Sequence, residues 1–354
     1  MGRKIAVVLF NLGGPDGQAT VKPFLRNLFN DPAIIYAPWP VRPFLAWLIS
    51  TTRGPKAAKE YAKMGGGSPI VPETQRQAAA LTTALETALP GDEVRCFLAM
   101  RYWHPFTKEA VEAVRDWGAD ETVLLPLYPQ FSTTTTGSSL KAWRDAGGGD
   151  ARTICCFPTE PEFIAAHAAL IRKAWEEAGK PDNVRVLHSA HGLPEITIQR
   201  GDPYQWQVEE TVKRVTALLP ELGDHITCFQ SKVGPLKWIG PSTEQTVETA
   251  AREGKHIILS PIAFVSEHIE TLVELDEEYA ELAHAHGAQG YTRVPALGVA
   301  QGFISALGGL VVSALDGPSG LKPPSGNMIC PAEFGRCPCR EAGYKPAKSE
   351  DEAA

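Results

Sequence analysis

The sequence predicts an α/β protein of two similar halves, each built on a parallel four-stranded sheet flanked by helices. Three observations predict it. Short apolar runs alternate with longer helical patterns along most of the chain, as expected of strands joined by crossover helices. The length of 354 residues exceeds the size at which one hydrophobic core keeps growing, so two domains are expected. The turn GKPDN at 179–183 forms a seam near mid-chain, and it divides the strand candidates evenly.

Taken in order, the strand candidates are 4–11, 93–100, 121–127 and 153–157 in the first half, then 184–189, 225–230, 256–260 and 291–294 in the second. Between them, helical patterns cover 72–89, 107–117, 162–179, 205–219, 242–253 and 267–287. Two Rossmann-like domains follow, 1–180 and 181–317, with the cleft between them open to loops at the carboxyl ends of strands. From 318 the periodicity fades: 318–342 is a Gly/Pro-rich extension carrying cysteines, and 343–354 is a tail of small and charged residues expected to be disordered.

Hydrophobic residues make up 44% of the chain and charged ones 21%, with a formal net charge of -7. This is a folded protein without a broad basic surface, so nucleic acid is excluded as a partner. The N-terminal MGRKIAVVLFNLGGPDG pairs two basic residues with a short apolar run but lacks a small-residue cleavage pattern. It reads as the first core strand of a cytoplasmic protein rather than a signal peptide. No uninterrupted apolar run reaches the roughly 20 residues a membrane span needs.

The stretch 34–50, IIYAPWPVRPFLAWLIS, gathers two tryptophans, a tyrosine and a phenylalanine around three prolines and one arginine. That composition suits an irregular apolar lip at a pocket mouth or an interfacial anchor, and equally a Pro-rich loop with inward aromatics. The apolar stretch 300–315 suits either the subunit interface of a homodimer or closure of the second domain.

Two strand ends in the second half each deliver a histidine. His191 lies in SAHGLP, directly after VRVL, where α/β folds place their chemistry. His268 follows the run HIILS and opens a helical pattern in which Glu270, Glu274 and Glu278 recur every four residues. Like charges at that spacing repel. The ladder alone reads first as a solvated helix face, and second as a set of acids able to pass protons or escort a divalent cation. In the first half, RYWHP brings Arg101 and Tyr102 to another strand end, and a hydroxyl-rich loop begins at Ser132. Such groups can hold the carboxylates of a ligand, Arg101 through charge-assisted bonds, or merely build turns and caps. NLGGPDG and GGGSP match neither the GxGxxG fingerprint nor a P-loop.

Taken together, NLGGP, GGGSPI, RYWHP, YPQFS with TTGSSL, SAHGLP with QRGDPY, QSKVGPLKWIG and SPIAFVSEHIETLVELDEEY resemble the ferrochelatases. These enzymes insert ferrous iron into protoporphyrin IX at the end of haem synthesis. The resemblance implies a chelatase-type fold, with His191, His268 and Glu270 catalytic and His191, Glu270, Glu274 and Glu278 handling the metal. It further implies that Leu12, Arg101, Tyr102, Ser132, Trp238 and Phe264 bind porphyrin, Leu12 standing where some members have methionine. On this resemblance 34–50 becomes the apolar mouth, giving peripheral contact with the inner membrane. Coproporphyrin as substrate, a chelatase for another metal, and a non-catalytic haem-binding or iron–sulfur protein are the alternatives.

Of seven cysteines, Cys330, Cys337 and Cys339 form CPAEFGRCPC. Spacing alone admits zinc, while disulfides are disfavoured in a cytoplasm. Some ferrochelatases carry a C-terminal [2Fe-2S] cluster, and this run resembles the bacterial form, which needs a fourth thiolate from elsewhere. The animal position for that ligand holds Thr133 here, so RTICCFP supplies it, Cys156 ahead of Cys155. Cys96 and Cys228, in apolar strands, read as core residues.

Overall fold

A computed structural model describes residues 2–232, 234–323 and 327–345. Among the described residues, nine strands form two sheets: β1 (Lys4–Asn11), β2 (Glu93–Met100), β3 (Glu121–Pro126), β4 (Arg152–Ile154), β5 (Val184–His191), β6 (His225–Gln230), β7 (His256–Pro261), β8 (Gly290–Arg293) and β9 (Gly320–Lys322). One sheet runs β2-β1-β3-β4-β9 and the other β6-β5-β7-β8, and every pairing is parallel. The central strands explain their apolar sequences. β1 is buried from Ile5 to Asn11 because helices cover both faces of its sheet.

The first sheet has five strands rather than the four expected. The fifth, β9, comes from the extension after 318 and pairs Arg152 with Gly320 and Ile154 with Lys322. Three residues of pairing are too few to leave a periodic signal in the sequence. The helix Gln301–Leu315 also differs from expectation. It packs against the helices Ile70–Ala88 and Pro161–Glu177 and touches β3 and β4, so it closes the first half rather than the second and is covered within the chain. Being apolar nearly all round, with Phe303, Leu307 and Val311 fully buried, it has to sit inside. One buried cluster then runs from Ile5, Leu9 and Leu125 through Phe163 and Phe303 to Val186 and Ile258, joining the two sheets through a shared core.

The 34–50 stretch is only partly irregular. A helix begins at Val41 and continues to Lys63. Pro43 sits in its first turn, where the missing N–H has no intrahelical partner to lose, so the proline cluster marks a helix start. Its aromatics do face outward: Tyr36 is 85% exposed, Trp39 79% and Phe44 58%. The long helix expected over 267–287 is instead a π-helix, Glu270–Glu278, followed by an α-helix, Tyr279–Ala285.

Candidate active site

β5 runs two residues further than its apolar pattern, so His191 is the last residue of the strand rather than the first of a loop. Its Nδ1 lies 2.8 Å from Oε2 of Glu270, at the start of the π-helix. The same Oε2 is 3.9 Å from Nε2 of His268. One carboxylate oxygen therefore sits between two imidazoles. The His191 side chain is 39% exposed and that of His268 8%, so the pair has a wet and a dry member.

Their electrostatics diverge accordingly. Burial pushes His191 down, but the charge and hydrogen bond of Glu270, helped by Glu274, outweigh it and hold the imidazole above its usual value. Burial pushes Glu270 up, yet the charge and hydrogen bond of His191, with His268, bring it down to about 2. His268 stays below its usual value because burial dominates, and its Nδ1 is buried without a partner. The His191–Glu270 pair thus favours its charged form, and buried His268 its neutral one.

The first two acids of the ladder are half-buried rather than solvated, while Glu278 is exposed. Glu274 Oε2 accepts from Gln230 Nε2 at 2.9 Å and Ser231 Oγ at 2.8 Å, and Oε1 accepts from the Tyr279 hydroxyl at 2.9 Å. Burial and the charge of Glu270 raise its carboxyl. The repulsion expected between Glu270 and Glu274 is thereby offset, one acid being paired with His191 and the other supplied with donors. Glu278 lines a cleft of about 280 Å³ with Glu274, Glu244, Lys232 and Tyr279. Ser231, at φ 65, adopts a left-handed conformation uncommon for a residue with a Cβ and turns both its N–H and its hydroxyl toward Glu274.

Other expected residues gather unevenly around this centre. The Phe264 ring stacks obliquely on His268, centroids 4.7 Å apart. Trp238 is bridged to Pro194, just past SAHG. Leu12 and Tyr102 share a cluster with Ile269, the residue before Glu270, which brings the first half against the π-helix. Arg101 and Ser132 are committed elsewhere. Arg101 Nη2 is 2.8 Å from Asp31 Oδ2, its Nε donates to Ser138 Oγ at 2.7 Å, and the Tyr102 hydroxyl donates to the same Asp31 at 2.8 Å. Ser132 is 1% exposed and donates to Asp202 at 3.0 Å. The sequence reading missed Asp31 and Asp202, which consume these donors. QRGDPY contains Asp202, but nothing near Asp31 signals its role.

Five cysteines meet in one buried cluster, Cys155, Cys156, Cys330, Cys337 and Cys339, with Phe131 and Met328. Cys155 Sγ lies 3.1 Å from Cys156 Sγ and 3.3 Å from Cys339 Sγ. Gln207 Nε2 donates to Cys330 Sγ at 3.1 Å and Cys156 Sγ at 3.6 Å. Among the described residues no group of acids, histidines and cysteines is already spaced around a metal position. Cys96 and Cys228 pack in the apolar cores, as expected.

The ferrochelatase family pattern matches residues 4–315. A curated ferrochelatase of Hyphomonas neptunium is 57% identical over 347 residues, covering 98% of this chain and 97% of that one. The chain belongs to the ferrochelatase family. A ferrochelatase of Caulobacter vibrioides is likewise 57% identical over 343 residues, covering 96% of this chain and 99% of its own. As a ferrochelatase, the protein is an enzyme of haem synthesis that inserts iron into a porphyrin, and Fe(II) is its substrate. Among solved structures, SirB from Bacillus subtilis with Fe3+ aligns at a TM-score of 0.49 and 13% identity, covering 88% of this chain and 95% of that chain. No helix of the described residues is long and apolar enough to cross a membrane.

Proposed function

We propose that this ferrochelatase metallates protoporphyrin IX between His191, His268 and Glu270 on one side and Leu12, backed by buried Tyr102, on the other, with Trp238 and Phe264 as aromatic walls. The observation that carries this reading is the Glu270 carboxylate shared between two histidines at a strand end. A flat macrocycle carries two inner N–H groups, so insertion must remove both protons, bend the ring and present Fe(II). With Nδ1 donating to Glu270, the other ring nitrogen of neutral His191 accepts one pyrrole proton, leaving an imidazolium that the Glu270 carboxylate stabilises. The second proton leaves by the Glu274 and Glu278 ladder, the same carboxylates that hand Fe(II) inward. Neutral His268, with an unpartnered Nδ1, offers a borderline ligand suited to Fe(II). The aromatic walls favour the bent ring over the flat one, which lowers the barrier. Arg101 and Ser132 support the porphyrin side through Asp31 and Asp202.

The cysteines fit a [2Fe-2S] cluster: five buried thiols converge, four are required, and Gln207 already donates toward two of the sulfurs. Cys156, Cys330, Cys337 and Cys339 would hold it, Cys155 being the alternative to Cys156. Bound there, it supplies a covalent tie between the extension and the body, and no step of insertion passes through it.

The outward Tyr36, Trp39, Phe44 and Trp47 support peripheral contact with the inner membrane from the cytoplasm, where protoporphyrin dissolves. Trp39→Ser with Phe44→Ser is expected to weaken partition onto anionic phospholipid vesicles by about two to three orders of magnitude, since each buried aromatic contributes roughly 2 kcal/mol. Unchanged co-sedimentation would sink this contact. Protoporphyrin and coproporphyrin assayed in parallel decide the substrate. The expected result is a higher kcat/KM for protoporphyrin; the reverse preference would make this a coproporphyrin enzyme.

A further inference from the structure

Two side chains from one face of β8 reach the π-helix. Tyr291 donates its hydroxyl to the carbonyl of Leu275. Arg293 grips both carboxylate oxygens of Asp276, Nε at 2.6 Å and Nη2 at 2.7 Å. Its Nη1 donates to Glu267 Oε1 at 2.6 Å, and that oxygen also accepts from the backbone of Ala296 at 2.9 Å. The Arg293 side chain is only 12% exposed, and its two partners lie on either side of Glu270 and Glu274: Glu267 precedes His268, and Asp276 lies between Glu274 and Glu278.

A π-helix is a rare conformation and keeps its wider turn only where its surroundings hold it. Conversion to an α-helix changes the register by one residue per turn of π-helix lost, and one residue is about 100° of rotation. Such a change would carry Glu274 away from Gln230 and Ser231. A bidentate guanidinium–carboxylate pair fixes direction as well as distance. Anchored on both sides of Glu270, it resists that rotation, while Tyr291 occupies a carbonyl in the middle of the wide turn.

We infer that Arg293, assisted by Tyr291, is the strut that keeps the acid-bearing π-helix in register, making it a positioning residue for the iron side of the reaction and not for porphyrin. The inference rests on the proposed role of His191, Glu270 and the acid ladder.

The test uses full-length enzyme carrying Arg293→Met, with KM measured separately for Fe(II) and for protoporphyrin. The expected result is a KM for Fe(II) raised about tenfold and kcat lowered about tenfold, with the KM for protoporphyrin within about twofold of wild type. Arg293→Lys, which keeps the charge without the fork, is expected to restore only part of the loss, and adding Asp276→Asn to Arg293→Met is expected to cost little more. Should Arg293→Met not fold, Tyr291→Phe decides, shifting the KM for Fe(II) in the same direction by a smaller factor. A purely structural role would lower kcat with the folded fraction and leave both KM values unchanged; that result, or an equal rise in both, overturns the strut. Inactive His191→Ala beside a wild-type Arg293→Met would remove the strut alone, whereas active His191→Ala would remove the reading beneath it.

Discussion

Replacing His191 by alanine is expected to abolish haem formation, lowering the rate by about three orders of magnitude or more, within the range of general-base removal. The substitution deletes the proposed proton acceptor and at the same time strips Glu270 of its 2.8 Å hydrogen-bond partner. That carboxyl, held at about 2 by His191 first among its favourable contacts, then rises under burial and becomes a poorer ligand for Fe(II). The fold should survive, because His191 closes a strand and its side chain is 39% exposed. Porphyrin binding, followed by fluorescence, is expected to stay near wild type, since the aromatic walls are untouched. The check is an anaerobic initial rate beside a porphyrin titration and a melting curve. Full turnover by folded His191→Ala removes this histidine from the mechanism.

If the proposed cluster is bound, Cys337→Ser is expected to give a colourless protein that melts roughly 10 °C below wild type, as when a metal tie worth several kcal/mol is lost. The effect spreads because the extension is bound to the body at more than the thiols. Arg336 N donates to the carbonyl of Gly201 at 3.0 Å, next to Asp202, whose Oδ2 accepts from Ser132 and from the Thr133 backbone. Loosening the extension therefore reaches the loop at Ser132 and Thr133, which holds Asp202. Cys155→Ser and Cys156→Ser, made separately, identify the fourth ligand as the one whose loss bleaches the protein. Cys96→Ser, distant in the first core, serves as the coloured control. A red, equally stable Cys337→Ser protein contradicts the cluster assignment.

Much of the fold was legible because parallel strands covered on both faces announce themselves as apolar runs. β1, β2 and β6 match their expected limits residue for residue. The failures have physical causes. β9 is three residues long and owes its existence to β4, a tertiary partner invisible in a local window. The helix Val41–Lys63 hid behind prolines that are harmless in a first turn. The π-helix was hidden because its acids at intervals of four suit an ordinary helix equally well.

The site was legible in its residue types more than in its connections. His191, His268, Glu270 and Glu274 do converge, and their spacing in sequence announced two strand ends. Nothing local could reveal that Asp31 would take Arg101 and Tyr102, or that Arg293, seventeen positions beyond Asp276, would clamp it. The Arg293–Asp276 pairing depends on β8 lying beside β7, and the Asp31 pairings on the turn after the helix Val21–Phe29 meeting the residues just past β2.

The central claim is that this cleft places Fe(II) into bound protoporphyrin. Its most direct test is a single turnover under argon: enzyme loaded with one equivalent of protoporphyrin is mixed with Fe(II), and the visible spectrum is followed. The account requires the free-base bands to give way to those of haem in stoichiometric amount with wild-type protein, and to persist with His191→Ala. Wild-type protein that binds the porphyrin, takes up Fe(II) and still leaves the free-base spectrum unchanged would contradict it.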